Sequence, residues 1–263
     1  MNILYLGDIT SKLGRETTKE LLPDLIKKHK VDFVIAQGEN VSHGKGLQPN
    51  HATELKAAGV DFFTGGNHSL IKTEYIQSAG DAIRPANLLE SAPGRGFGLA
   101  DTPFGKILII SLQGQLVGMD ADKEARNPLE TVDEILAQHA HTKLAATVVN
   151  FHGDYSSEKV VIGQYLDGRV TAVIGDHWHV PTADAEVLPG GTAHITDVGM
   201  IGALDSSLGV KTDIIVQRWL KPQERIRNEM EESGRRQLCA VVVEVNAQNS
   251  LAKAIIPIRV VLS

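Results

Sequence analysis

The two histidines of GDHWH at residues 175–179 are the side chains in this chain best suited to chemistry. His177 and His179 lie two positions apart. In extended backbone such residues project to one side, where two imidazoles can ligate one metal ion or two neighbouring ones. The pentapeptide follows the apolar run VTAVI at 170–174, which predicts a buried strand that stops at the glycine. Four similar islands occur upstream: GD at 7–8, GEN at 38–40, GGNH at 65–68 and NFH at 150–152. Each comes after a short apolar run. Five predicted strand ends thus carry Asp8, Glu39, Asn40, Asn67, His68, His152, His177 and His179. Such side chains are costly to bury without partners. Their gathering at one sheet edge predicts a metal site.

Taken singly, the islands are ambiguous. Asp and Asn also cap helices and stabilise turns. His152 alone reads equally as a satisfied loop histidine. Gly65 and Gly66 allow backbone to approach an ion or a phosphate closely. The joint pattern is stronger than any member. Its donors are nitrogen and oxygen, without thiolate, which suits Mn, Fe or Zn and disfavours Cu(I) or an iron–sulfur cluster. Seven candidate ligands (Asp8, Glu39, Asn40, Asn67, His152, His177 and His179) exceed what one catalytic zinc needs. They suit two ions about 3.5–4 Å apart.

The whole chain sets bounds on the chemistry. Its 263 residues are 42% hydrophobic and 22% charged, enough for a substantial core. The start MNILYLGD enters a strand directly, without the basic and apolar segments of a signal peptide. No apolar run reaches transmembrane length. The expected location is therefore the cytoplasm, with no membrane partner. Net charge is −6, which argues against a broad face for duplex nucleic acid. A small anionic substrate stays compatible, because two cations reverse the local field. Cys239 is the only cysteine and lies in LCAVVVEV, so it reads as an inert core thiol.

Strand and helix signals alternate along the chain. Strands are predicted at 3–6, 31–36, 60–63, 107–112, 145–149 and 170–174. Helices are predicted at 13–28, near 50–58, at 127–139 and at 156–166, with Pro23 expected to kink or divide the first. Strand-like runs follow at 192–196, 212–217, 238–245 and 254–262. This order predicts an α/β fold with a parallel-centred sheet and antiparallel additions. The charge-rich stretch 221–237 reads as a solvated hairpin or loop, or else as an oligomer contact. His43, Gly44, Lys45 and Gly46 read as a phosphate contact or as a loop, without the P-loop spacing. His29, His51, His139, His141 and His194 read as surface or packing residues.

The islands resemble those of the calcineurin-like metallophosphoesterases, whose signatures are GD, GD or GE, GNH, GH and GHxH. Further strings narrow the likeness: GENVSHGKGL at 38–47, RPAN at 84–87, SSEK at 156–159, DGR at 167–169 and ITDVGM at 195–200. With these the chain resembles the bacterial YmdB-type subfamily of cyclic-nucleotide phosphodiesterases, from Met1 to about residue 262. The resemblance implies a four-layer αββα sandwich, with residues 1–263 as a single domain. It implies that Asp8, Glu39, Asn40 and His179 hold one ion. Glu39, Asn67, His152 and His177 hold the other, and Glu39 bridges. His68 is then the proton donor, or else a residue that only orients a ligand or phosphate. There are departures from the wider superfamily. Thr10 replaces a histidine, Asp176 precedes the first histidine of the last island, and Trp178 is bulky between the two.

The function so implied is a binuclear-metal phosphodiesterase hydrolysing small cyclic nucleotides. Two ions, Fe or Mn foremost and Zn as a further candidate, make a shared water available as hydroxide near neutral pH. General acid catalysis by His68 typically adds about 10²–10⁴-fold. Two alternatives remain open: a phosphomonoesterase or nucleotidase on the same site, and a metal-loaded regulatory protein with incidental hydrolysis. The expected partners are a small phosphodiester and further copies of the chain in a homo-oligomer.

Overall fold

Side chains alternate in facing along each strand, and that period of two sets the architecture. The computed structural model describes residues 1–115 and 125–263. Strand β1 (Asn2–Leu6) turns Ile3 and Tyr5 to one side and Leu4 and Leu6 to the other. A short β2 (Asp8–Ile9) follows at once. Strand β3 (Phe33–Gln37) divides likewise, with Phe33 and Ile35 against Val34 and Ala36. β4 (Phe62–Thr64) lies parallel to β3, which lies parallel to β1. β11 (Met200–Ala203), β12 (Arg236–Val245) and β13 (Ala252–Leu262) complete a seven-stranded sheet. Its order is β2-β11-β12-β1-β3-β4, with β13 paired to β12.

A second sheet has six strands. They are β5 (Phe97–Thr102), β6 (Gly105–Gln113), β7 (Leu144–His152), β8 (Ala172–Asp176), β9 (Glu186–Val187) and β10 (Ala193–Ile195). Strands β6, β7, β8 and β10 are parallel neighbours, while β5 and β9 add antiparallel edges. Ile107 and Ile109 of β6 meet Ile3, Tyr5 and Ile35 of the first sheet in one buried cluster. The two sheets therefore pack face to face.

Helices cover the outer faces. α1 (Ser11–His29) and α2 (Pro49–Ala58) set Leu22, Leu25 and Leu55 against Leu4, Leu6 and Val34. A five-residue α3 (Glu74–Ser78) adds Ile76. α4 (Pro128–Gln138) and α5 (Ser156–Tyr165) set Val132, Ile135 and Ile162 against Leu108, Ile110 and Phe151. The result is a four-layer αββα sandwich, as the resemblance implies, with one apolar core between the sheets and one under each helical layer. Leu22 is fully buried, and removing such a side chain to Ala costs about 2–5 kcal/mol.

The ends of these helices follow local chemistry. α2 opens with Pro49, whose missing N–H is no loss in a first turn, and stops at Gly59 in left-handed backbone. Asn127 caps α4 by accepting the Leu129 amide at 2.9 Å. Pro23 does not divide α1, which runs on through it as one helix. One expected strand is absent. The run 212–217 is not a strand but part of helix α6 (Thr212–Leu220), no side chain of which is buried. The β-branched Ile214, Ile215 and Val216 suggested a strand, a preference that depends on a sheet to pack against. Cys239 is a buried free thiol, as expected. Among the described residues no helix is long and apolar enough to cross a membrane.

Candidate metal centre

Parallel strands in both sheets bring their carboxyl ends to one edge, where α/β folds place ligands. Asp8 follows β1, Glu39 and Asn40 follow β3, and Asn67 and His68 follow β4. His152 ends β7, while His177 and His179 follow β8. All eight sequence-selected residues thus meet at one site, joined by direct contacts. Glu39 is at its middle. Its Oε1 lies 3.2 Å from His152 Nε2 and 3.3 Å from His68 Nδ1. Its Oε2 accepts the His68 amide at 3.0 Å. Asn40 Nδ2 donates to Asp8 Oδ1 at 2.8 Å and lies 3.3 Å from His179 Nε2. Asn67 Oδ1 lies 2.8 Å from His152 Nε2. The rings of His152 and His177 are 4.4 Å apart between centroids. Gly66 allows this crowding, because a Cβ there would overlap the Glu39 carboxylate and the His152 ring.

The donor set fits a metal ion. Glu39, His152 and His177 offer ligand atoms that lie within 4.8 Å of one another. Asp8 Oδ2 is buried and has no hydrogen-bond partner among the described residues. A bare buried carboxylate oxygen is costly unless a cation faces it. His179 Nε2 is 3.6 Å from that oxygen, so a second group of donors stands beside the first.

Charge is balanced inside the cluster at the expense of ordinary pKa values. Burial, then the Glu39 and Asp176 carboxylates, push Asp8 well above the usual carboxyl range. Burial also acts to raise Glu39, but His152 and His68 outweigh it and hold Glu39 well below that range. Burial acts to lower His152, yet Glu39 and Asp176 outweigh it and raise that imidazole well above its usual value. His177 is lowered to about 4 by burial and then by His152. His179 is lowered to about 4 by burial, against the pull of the Leu208 carbonyl. Cations entering here would stabilise the carboxylates and displace the protons.

One sequence reading needs correction. The strand β8 ends at Asp176, so His177 and His179 are not an extended i, i+2 pair. Both have left-handed backbone, with φ of 103° and 64°. The turn sends His177 toward His152 and His179 toward Asp8 and Asn40. Asp176, the departure just before the first of these histidines, lies behind the cluster. It is fully buried between the sheets. Its Oδ1 faces His152 Nδ1 at 2.7 Å, and its Oδ2 accepts from Asn150 at 2.6 Å, Gln37 at 2.9 Å and Tyr5 at 3.1 Å. It orients the imidazole from behind, as carboxylates commonly do for metal-binding histidines. The parallel register that pairs His152 with Asp176 dictates this contact. The stretch 221–237 is a mostly exposed, irregular segment, in keeping with the solvated-loop reading, and it has a further place in the site. Residues 225–233 line a cleft of about 1600 Å³ above the cluster.

That cleft is also lined by Thr10, Lys45, Lys72, Asp154, Trp178, Lys211 and Arg218. Thr10 spends its hydroxyl on the Asp8 carbonyl at 3.2 Å. Asp154 contacts His177 Nε2 at 3.0 Å, and the Leu208 carbonyl lies 3.1 Å from His179 Nδ1. Sequence reasoning missed Tyr5, Gln37, Asn150, Asp154 and Leu208. Asn150 alone carried a signal, since it belongs to the NFH island.

The sequence and the fold have relatives. Residues 4–258 match the family described as YmdB-like protein. A 2′,3′-cyclic-nucleotide 2′-phosphodiesterase of Bacillus subtilis is 38% identical over 96% of this chain and 94% of its own length. The crystal structure of a novel phosphatase from Mycoplasma pneumoniae superposes with a TM-score of 0.91 at 32% identity, covering 99% of this chain and 93% of that one. A 5′-nucleotidase precursor from Thermus thermophilus shares the fold at a TM-score of 0.56 and 10% identity, covering 100% of this chain and 54% of that one. With a match that spans nearly all its length, and a site assembled from the strings that first suggested it, this chain belongs to the YmdB-like family.

Proposed function

We propose that this chain is a two-metal phosphodiesterase acting on small cyclic nucleotides. The observation that carries the reading is the orphaned Asp8 Oδ2 beside the group of buried Glu39 and His152 and half-buried His177 on one sheet edge. The B. subtilis relative's name supplies the substrate class. In this reading Asp8, Glu39, Asn40 and His179 hold one ion. Glu39, Asn67, His152 and His177 hold the other, with the Glu39 carboxylate shared. The ions, when bound, supply positive charge for the phosphate and a nucleophilic water.

The chain's own residues do the rest. Asp176, held by Gln37, Asn150 and Tyr5, fixes the ring of His152. His68 is half-exposed beside Glu39 and Asn40, facing the cleft that would receive substrate. On this reading its ring, held by these two, protonates the departing ribose oxygen. A ribose alkoxide leaves poorly without that proton. Lys45, Lys72, Arg225 and Arg227 line the cleft and attract an anion despite the net charge of −6.

The test is metal analysis of the purified protein combined with hydrolysis of a 2′,3′-cyclic nucleotide. About two ions per chain and metal-dependent ring opening are expected. Full metal content without turnover of any cyclic nucleotide would sink the reading. A monoesterase reading takes support from the printed name of the M. pneumoniae relative, a phosphatase. Faster turnover of a nucleoside monophosphate than of the cyclic diester would favour it.

A further inference from the structure

Two sequence strings with no assigned chemistry, SSEK at 156–159 and ITDVGM at 195–200, meet beneath the turn that carries His177 and His179. Lys159 projects from α5 and is 0% exposed, as is Asp197. The Lys159 ammonium donates to the Asp176 carbonyl at 2.6 Å and to Asp197 Oδ2 at 2.7 Å. That same carboxylate oxygen accepts the Trp178 amide at 2.9 Å. The ammonium also stands 4.0 Å from the centroid of the Trp178 ring. The pair therefore grips the backbone on both sides of His177.

Burying a lysine is expensive, and a buried ion pair is by itself weak evidence of added stability. Its value here is directional. His177 and His179 both hold positive φ, which for residues with a side chain persists only where the surroundings over-determine it. Gly199, two residues after Asp197, donates its amide to Asp197 Oδ1 at 2.9 Å. Asp197 thus ties the turn after β8 to the chain that leads into β11. Two segments distant in sequence thus hold one turn.

We infer that Lys159 and Asp197 are a positioning pair, which holds the 176–178 backbone so that His177 and His179 face the two ions. This rests on the two-ion reading above. Neither residue is assigned a contact with an ion or with substrate. Partners of this outer kind typically change metal affinity by about 10–100-fold when removed.

Trp178 offers a readout independent of activity. The chain has two tryptophans, and Trp219 is 83% exposed, so Trp219→Phe leaves Trp178 as the sole indole reporter. In that background, metal-free protein is titrated with Mn²⁺ while Trp178 emission is followed, with bound metal counted by elemental analysis. Lys159→Met is compared with its parent, well below the melting temperature of each. The double variant Lys159→Met/Asp197→Asn, which leaves no lone buried charge, is run beside it. The expected result is folded protein with Mn²⁺ affinity weaker by about 10–100-fold. Parent-like affinity in either folded variant, even with a lower melting temperature, overturns the inference. Failure of both variants to fold assigns the pair to general stability and overturns it too. Absence of Mn²⁺ binding in the parent instead brings down the two-ion reading, and this inference with it.

Discussion

The floor and the wall of the cleft are built on opposite terms. Asp8, Glu39 and His152 on the floor are at most 1% exposed, and Asp176 behind them is fully enclosed. Most contacts there are polar, and a low local dielectric strengthens them. The wall at 225–233 is mostly exposed and carries both signs of charge. Charges in water interact weakly and are screened by salt. The contrast teaches a division of labour. On the proposed reading, buried groups whose geometry cannot relax would hold ions, whereas exposed groups would only bias which anion arrives. Substitutions on the floor should therefore change chemistry, and substitutions on the wall should change affinity.

The largest effect should come from Glu39→Ala. One carboxylate touches His68 and His152 and is the proposed bridge between ions. Metal content should fall from about two ions toward none, and hydrolysis should drop to background. Retention of both ions would break the contrast at its centre, because the floor would then tolerate loss of its middle member. His68→Ala comes next. With both ions kept, turnover of a cyclic nucleotide should fall by roughly 10²-fold or more. A nitrophenyl diester, whose leaving group needs no proton, should lose much less. Equal losses on the two substrates would move His68 from acid catalysis to positioning.

Protons give a third and smaller test. In the metal-free chain His152 and Asp8 are both shifted upward, so each keeps its proton to a higher pH than usual. A cation must displace those protons, so apparent ion affinity should fall as pH drops. One linked proton corresponds to about tenfold in affinity per pH unit. His177 and His179, lowered to about 4, are already neutral at pH 6 and should release none. Calorimetry in buffers of different ionisation enthalpy measures the count. Ion binding without proton release near pH 7 would contradict the charge balance drawn for the floor.

The floor was legible in the sequence and the wall was not, for a physical reason. A polar residue placed straight after a buried apolar strand has no cheap place to go. Asp8, Glu39, Asn67, His152 and His177 each follow such a run, so the five islands pointed to one edge before any coordinates. The strands were visible in the same runs, but their division between two sheets was not. What remained hidden depends on pairings between distant segments. Asp176 was visible as a charge, but its role required the register that sets it beside His152. Lys159 and Asp197 stood in noticed strings whose meeting needed α5 to pack near the end of β8. α6 misled because Ile214, Ile215 and Val216 have strand character, while nothing in the local sequence announced a helix with no buried side chain. Residues 225–233 have no periodicity to read, and their position over the site comes from the chain returning between β11 and β12.

The wall itself supplies the smallest effect. Arg225 and Arg227 line the cleft on its exposed side. An exposed ionic contact is worth about 0.2–1 kcal/mol, and salt weakens it further. Arg227→Ala should therefore raise KM for a cyclic nucleotide by about two- to five-fold. kcat and metal content should stay at parental values, the pattern of binding energy used equally in ground state and transition state. Raising ionic strength should erase most of the difference between mutant and parent. Arg225→Ala should behave alike, and the double variant should be close to additive if the two do not share a phosphate contact. A fall in kcat of tenfold or more, or a lost ion, would place this arginine with the floor. The division between buried chemistry and exposed selection would then have to be redrawn, with the 225–233 segment closing over the reacting phosphate rather than guiding it in.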